Sequence, residues 1–216
     1  MLTDRILIVS KTKMHADYVC VGGVDIDNHT SVRLRSANGF NELSNECPYN
    51  IYEVWNIRYA FISNRSLPHS IEDVNVYQRE KLGSIEQKDF LNYVQHSQVK
   101  IYEGEFTNVF DRCLQTDNGR SLFISKQNIP QRSTCFWISD KDMKIDNYMG
   151  KVRYSYLIPN HITPLKLPYV GLETNPIEII PKGSLIRLSL AHWWKPGDRN
   201  VEERCYLQLS GYFLQN

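Results

Sequence analysis

The sequence predicts an all-β protein, two small barrels or sandwiches with one short helix near their junction. Three observations carry this. Short runs alternate apolar and polar residues with a period of two. Clusters of Gly, Pro, Asn and Asp separate those runs. Only one stretch combines helical spacing with a start signal. At 216 residues the chain is long enough for one large β domain or two small ones. The expected division falls between His96 and Glu105, giving domains of residues 1–100 and 101–216.

Taken in order, residues 5–10 (RILIVS) are short, apolar and β-branched. Residues 18–27 follow a polar turn, and Gly22-Gly23 at their centre predicts a bulge or bend. Residues 30–36 come after the turn Asp27-Asn28-His29. Residues 52–63 form an aromatic, alternating strand, and residues 72–78 another. The helix is expected at 84–96, with Ser84 as cap, Gln87 three residues on, and a stripe of Ile85, Phe90, Leu91 and Val94. Strands are then expected at 121–125, 133–139 and 151–158, and a shorter proline-flanked one at 161–167.

The last two strands are the most informative. In residues 183–198 Ile186, Leu188 and Leu190 share one face, and Arg187 and Ser189 take the other. In residues 204–213 Cys205, Leu207, Leu209 and Phe213 share a face, opposite Arg204, Tyr206, Gln208, Ser210 and Tyr212. Paired antiparallel, the open faces would join Arg187 to Tyr206, Gln208 and Tyr212. That is a donor-rich aromatic platform, the chemistry that holds a nucleic-acid strand rather than that of an active site.

Composition narrows the classes. Net charge is +1, with 25 basic and 24 acidic side chains, so any polyanion site must be a local patch. The five cysteines are odd in number, widely spaced and without a CxxC pair, which argues against a disulfide framework or a zinc ribbon. No secretory core and no apolar run of membrane-span length appears, and a reducing cytoplasm is expected. The six histidines match no metal spacing, and GxSxG, GxxxxGK[ST] and strand-linked GxGxxG are absent. Neither a catalytic residue nor a cofactor is expected.

Several cations could meet phosphate. Arg33 and Arg35 alternate with Val32 and Leu34, so both leave one sheet face, and Lys151 and Arg153 repeat the arrangement beside Val152 and Tyr154. Arg58 is in phase with Asn56. A guanidinium fork matches phosphate oxygens, although cross-strand pairing with a carboxylate such as Glu53 or Asp25 accounts for the same residues. At the tip of the last hairpin, Trp193 and Trp194 must face opposite ways. One can be core while the other, beside Lys195 and Arg199, stacks a base, or packs over the barrel end. Asp25 and Asp27 have the form of a two-carboxylate metal pair, but they sit in a stretch where a hairpin turn accounts for them.

Residues 6–13 (ILIVSKTK), 20–25 (CVGGVD), 32–35 (VRLR), 52–58 (YEVWNIR) with 68–73 (PHSIED), and the final hairpin occur in an order that resembles the prokaryotic dual OB-containing domain family. The resemblance spans essentially the whole chain. It implies two OB-like barrels and, by analogy, nucleic-acid or nucleotide binding, with no catalytic residues to carry over. The expected function is therefore non-enzymatic nucleic-acid binding, as the sensor or targeting component of a larger bacterial system such as phage defence. The strand, single or duplex, DNA or RNA, is left open. Arg33, Arg35, Arg58, Lys151, Arg153, Arg187 and Lys195 would contact phosphate, and Trp193 or Trp194, Tyr206 and Tyr212 would stack bases. The alternatives are a protein-interaction adaptor, with a partner from the same system, and a metal-dependent nuclease using Asp25 and Asp27.

Overall fold

The structure, a computed structural model, describes residues 1–117, 121–158, 163–172, 176–195 and 201–215. These are mostly β, with about half of the residues in strands and 10% in helix. The chain packs as two compact units: Met1–Arg65 with Glu72–Val99 and Gly171–Glu173, and Ser66–Ile71 with Lys100–Val170 and Thr174–Asn216.

In the first unit the strands are β1 (Leu2–Lys13), β2 (Tyr18–Asp25), β3 (Ser31–Arg35), β4 (Glu42–Leu43), β5 (Glu53–Phe61) and β6 (Asp73–Ser84). The sheet runs β1-β5-β6-β3-β2 and closes by pairing β1 with β2, and β4 extends it beyond β2. Counted along the chain without β4, the barrel order is 1-2-3-5-4-1, the third strand pairing parallel to the fifth. Ile6, Ile8, Val21, Val32, Leu34, Ile57 and Val74 fill it. Closure needs β1 and β2 to approach closely. A Cβ on Gly23 would stand 2.4 Å from Ile6 Cγ2 and 3.2 Å from the Leu7 carbonyl oxygen. The register shift expected near Gly22-Gly23 lies on the partner strand, between Ile8 and Ser10.

The helix α1 (Gln87–His96) starts three residues later than the sequence predicts. Ser84 does not cap it, because Ser84 is still paired with Glu53 across β5 and β6, and the next amide, Ile85 N–H, donates to the Tyr52 carbonyl. Tertiary strand pairing overrides the local capping signal. Phe90 and Val94 are its buried residues.

The second unit is a half-barrel. Its strands are β7 (Ile101–Tyr102), β8 (Gln115–Asp117), β9 (Ser121–Ile124), β10 (Thr134–Ile138), β11 (Met143–Tyr148), β12 (Lys151–Tyr156), β13 (Leu165–Pro168), β14 (Ile179–Ile180), β15 (Leu185–Trp194) and β16 (Arg204–Phe213). One sheet runs β7-β10-β15-β16-β9-β8 and another β13-β12-β11-β14. Both contribute to one core containing Trp137, Tyr154, Leu167, Ile186, Leu188 and Leu209. The sheets meet where Tyr169 bridges Leu209. The expected start of the 161–167 strand at His161, and the hairpin tip at residues 196–199, lie outside the described residues.

Sequence reasoning missed β11. It joins β12 through a two-residue loop, since Tyr148 pairs with Lys151. Met149 (φ 50°) and Gly150 (φ 72°) are both left-handed, as a type I′ turn requires. Met occupies the position where Asn or Asp would announce such a turn.

Candidate functional site

The structure separates the predicted residues into those on open faces and those built into the fold. Arg33 and Arg35 belong to the second group. Parallel pairing of β3 with β6 sets Asp73 against Arg33. The Arg33 Nε–H donates to the Asp73 carboxylate, and Arg35 Nη1 donates to its other oxygen at 3.1 Å. Arg33 is 9% exposed and Asp73 3%. These arginines do not present an open phosphate face, because one buried carboxylate draws both inward. Arg58 stays exposed on β5 and donates to Gln78.

Arg187 is corrected in the same way. It leaves β15 on the face opposite Ile186 and Leu188, yet it is 4% exposed and hydrogen-bonds to the Ser210 hydroxyl at 3.0 Å. Tyr212 is corrected more sharply. Arg187 pairs with Gly211 but Leu188 with Leu209, so Ser210 is an extra residue, a bulge in β16. Past the bulge the faces exchange. Tyr212 joins the core, 5% exposed, its ring beside Tyr154 and Tyr169 and its hydroxyl accepting the Ile177 N–H at 3.1 Å. The platform of Arg187, Tyr206 and Tyr212 is therefore not formed.

A second bulge settles the tryptophans. Leu190 pairs with Leu207 and Trp193 with Cys205, which leaves one extra residue in β15. Strict alternation from Leu190 would send His192 and Trp194 inward. The bulge instead packs Trp193 against the core, its Nε1–H donating to the Leu67 carbonyl at 2.7 Å. Trp194 is left outside, 57% exposed. Its ring lies 5.8 Å from Tyr206, which in turn lies 6.0 Å from Phe123 on β9. The Arg204 guanidinium sits 4.0 Å over Phe123. Lys195 is exposed at the end of the strand.

Lys151 and Arg153 occupy the outer face of the four-stranded sheet, with Tyr154 and Tyr156 turned into the core. The β11–β12 register brings Asp146 opposite Arg153 and Tyr148 opposite Lys151, and the β12–β13 register brings Lys166 opposite Ser155. Lys144, opposite Ser155 on the other side, completes the face. Four cations thus share it with one carboxylate, a net charge of +3 in a chain whose total is +1. Asp146 accepts from Arg153 at 2.8 Å and from Lys166 at 3.1 Å. The Lys166 hydrogen bond, opposed by slight desolvation and supported by the Arg153 charge, holds its carboxyl below the usual carboxylate range. Arg153 lies 4.8 Å over the ring of Tyr148, which is 58% exposed. Lys144, Tyr148 and Lys166 escaped sequence reasoning. For Lys166 the signal was present as Leu-Lys-Leu alternation at 165–167.

Asp25 and Asp27 are consumed by the turn. Asp25 accepts the Asp27 and Asn28 amides and the Asn28 side chain, and Asp27 is ion-paired to Arg5. Among the described residues no group of three or more His, Cys, Asp or Glu is placed to hold a metal ion.

A comparison with curated proteins finds no match. Two solved structures align over nearly the whole chain. One is described as "Structural mimicry for functional antagonism": identity is 10%, coverage 97% of this chain and 92% of that one, TM-score 0.36. The other is described as "Structure of murine DNA binding protein bound with ds DNA": identity is 12%, coverage 99% and 94%, TM-score 0.33. At such low scores neither likeness bears on function. The closed barrel, the half-barrel and the motif order have a sequence counterpart, because the family model for the dual OB-containing domain matches residues 4–212, and the chain belongs to that family.

Proposed function

We propose that this protein binds nucleic acid through its phosphate backbone and catalyses no reaction on it. The observation that carries this reading is the outer face of β11–β13, where Lys144, Lys151, Arg153 and Lys166 gather on a rigid sheet beside the exposed ring of Tyr148. Phosphate contacts supply most of the sequence-independent affinity of such proteins through counterion release. Cations on paired strands are held at fixed spacing, so little ordering entropy is lost on binding. The chemistry of any larger system would then belong to a partner, with this chain as its sensor or targeting component, as in a defence-type system. The nuclease alternative loses its two carboxylates to the Asp25 turn and to Arg5.

The test is fluorescence anisotropy with labelled single-stranded and duplex DNA and RNA at two salt concentrations. Wild-type protein should bind at low salt, with log K falling by about 0.7 to 0.9 per phosphate contact for each decade of salt. The double variant Lys144→Glu/Lys151→Glu takes the face from +3 to −1 and should lose binding with its melting unchanged, since both lysines are exposed. If wild-type protein binds none of the four, the reading fails, and the adaptor alternative inherits the exposed aromatic residues.

A further inference from the structure

We infer that the outer face around Trp194 is a stacking shelf for unpaired bases, so that the nucleic acid this protein takes is single-stranded. The inference rests on the nucleic-acid reading above and deepens it by naming the strand.

Three rings form a ladder across neighbouring strands. Phe123 on β9 pairs with Tyr206 on β16, and Trp194 on β15 pairs with Arg204 two residues before Tyr206. Phe123 is 6% exposed and is covered by the Arg204 guanidinium, so it is the base of the ladder and not its surface. Tyr206 is half-buried between Phe123 and Trp194. Trp194 is the open end. Its neighbour Trp193 is anchored by the Leu67 carbonyl, which fixes the strand from which Trp194 projects. A large ring held in place yet 57% exposed carries low ordering cost when a flat partner lands on it.

The charges around it favour a nucleotide over an acidic or neutral peptide. Lys126, Lys195 and Arg204 stand against Glu202 and Glu203. Both carboxylates are engaged: Glu203 is ion-paired to Lys126 at 2.7 Å, and Glu202 accepts from Gln127 at 2.8 Å. Three cations against two carboxylates leave this cluster a formal net charge of +1, the sign that favours the phosphates flanking a stacked base. A base in a duplex has both faces covered by its neighbours and offers only its edges in the grooves. An unpaired base offers a whole π-face, and stacking on an aromatic side chain is the usual means of holding it.

The experiment compares one labelled oligonucleotide as a single strand and as a blunt duplex, titrated with wild-type protein, Trp194→Ala, Trp194→Phe and Tyr206→Ala at two salt concentrations. Trp194→Ala should weaken single-strand binding about 5- to 150-fold. It should leave duplex binding and the salt slope unchanged, because stacking releases no counterion. Trp194→Phe should restore most of the loss, and Tyr206→Ala should lower affinity by freeing the Trp194 ring. Thermal melts of each variant exclude unfolding as the cause. Two results overturn the inference while leaving nucleic-acid binding intact: single-strand affinity untouched by Trp194→Ala, or single-strand and duplex affinities reduced equally. Failure of wild-type protein to bind either probe overturns the nucleic-acid reading itself, and this inference with it.

Discussion

Asp73→Asn separates a structural role for Arg33 and Arg35 from a phosphate-binding one. Asp73 is 3% exposed and is the shared carboxylate of both arginines; the Arg33 side chain is 10% exposed and that of Arg35 27%. Asparagine keeps the shape and one acceptor but removes the charge that compensates a buried guanidinium. Breaking a buried pair by removing one partner costs about 3–5 kcal/mol, because the surviving charge stays desolvated. Arg35 can turn to water and escape most of this; Arg33 cannot. In a chain of this length each kcal/mol lowers a melting temperature by about 2–4 °C, so the expected fall is roughly 6–20 °C. Scanning calorimetry would measure it. Since two units need not unfold together, amide hydrogen exchange in β3 and β6 should locate the loss in the first barrel. Oligonucleotide affinity measured well below the transition should match wild type. Replacing the pair by apolar residues, Arg33→Met with Asp73→Leu, should recover much of the stability. A melting shift under about 2 °C, or affinity that rises as the arginines are released, would refute the structural assignment.

Three further outcomes follow from the same geometry. Desolvation opposes the Glu53 charge, but hydrogen bonds from Lys81, from the Asn50 amide and side chain, and from Trp55 outweigh it and bring its pKa down to about 2. A folded pKa below the unfolded value near 4.5 means stability that is complete above pH 4.5 and lost as pH falls toward 2, by about 3 kcal/mol in all. Urea melts should show this fall, and Glu53→Gln should flatten it. Gly23→Ala drives a methyl into Ile6 and the Leu7 carbonyl and should cost about 1–3 kcal/mol or more in the same melts. Tyr212→Phe removes the acceptor of the Ile177 N–H and should cost about 1 kcal/mol. It should leave oligonucleotide affinity unchanged, because the hydroxyl it removes is turned to the Ile177 amide inside the core.

What the sequence determined by itself was local. Period-two alternation correctly turned Ile186, Leu188 and Leu190 inward, and it set Lys151 and Arg153 on the face opposite Tyr154, because successive side chains on any strand point to opposite sides. The motif order named the family. What only the tertiary structure decided was where that alternation breaks and what covers each face. One extra residue at Ser210 moved Tyr212 into the core, and one before Trp193 chose which tryptophan meets water. No local pattern announces either, since a bulge is fixed by the register of the partner strand. Arg33 and Lys151 read alike in sequence, each alternating with apolar neighbours. They part company because a parallel strand from forty residues away delivers Asp73 to Arg33, while a Met-Gly turn folds Tyr148 beside Lys151 and leaves that face open to solvent. Exposure is a property of pairing partners distant in the chain, and the candidate site depends on exposure.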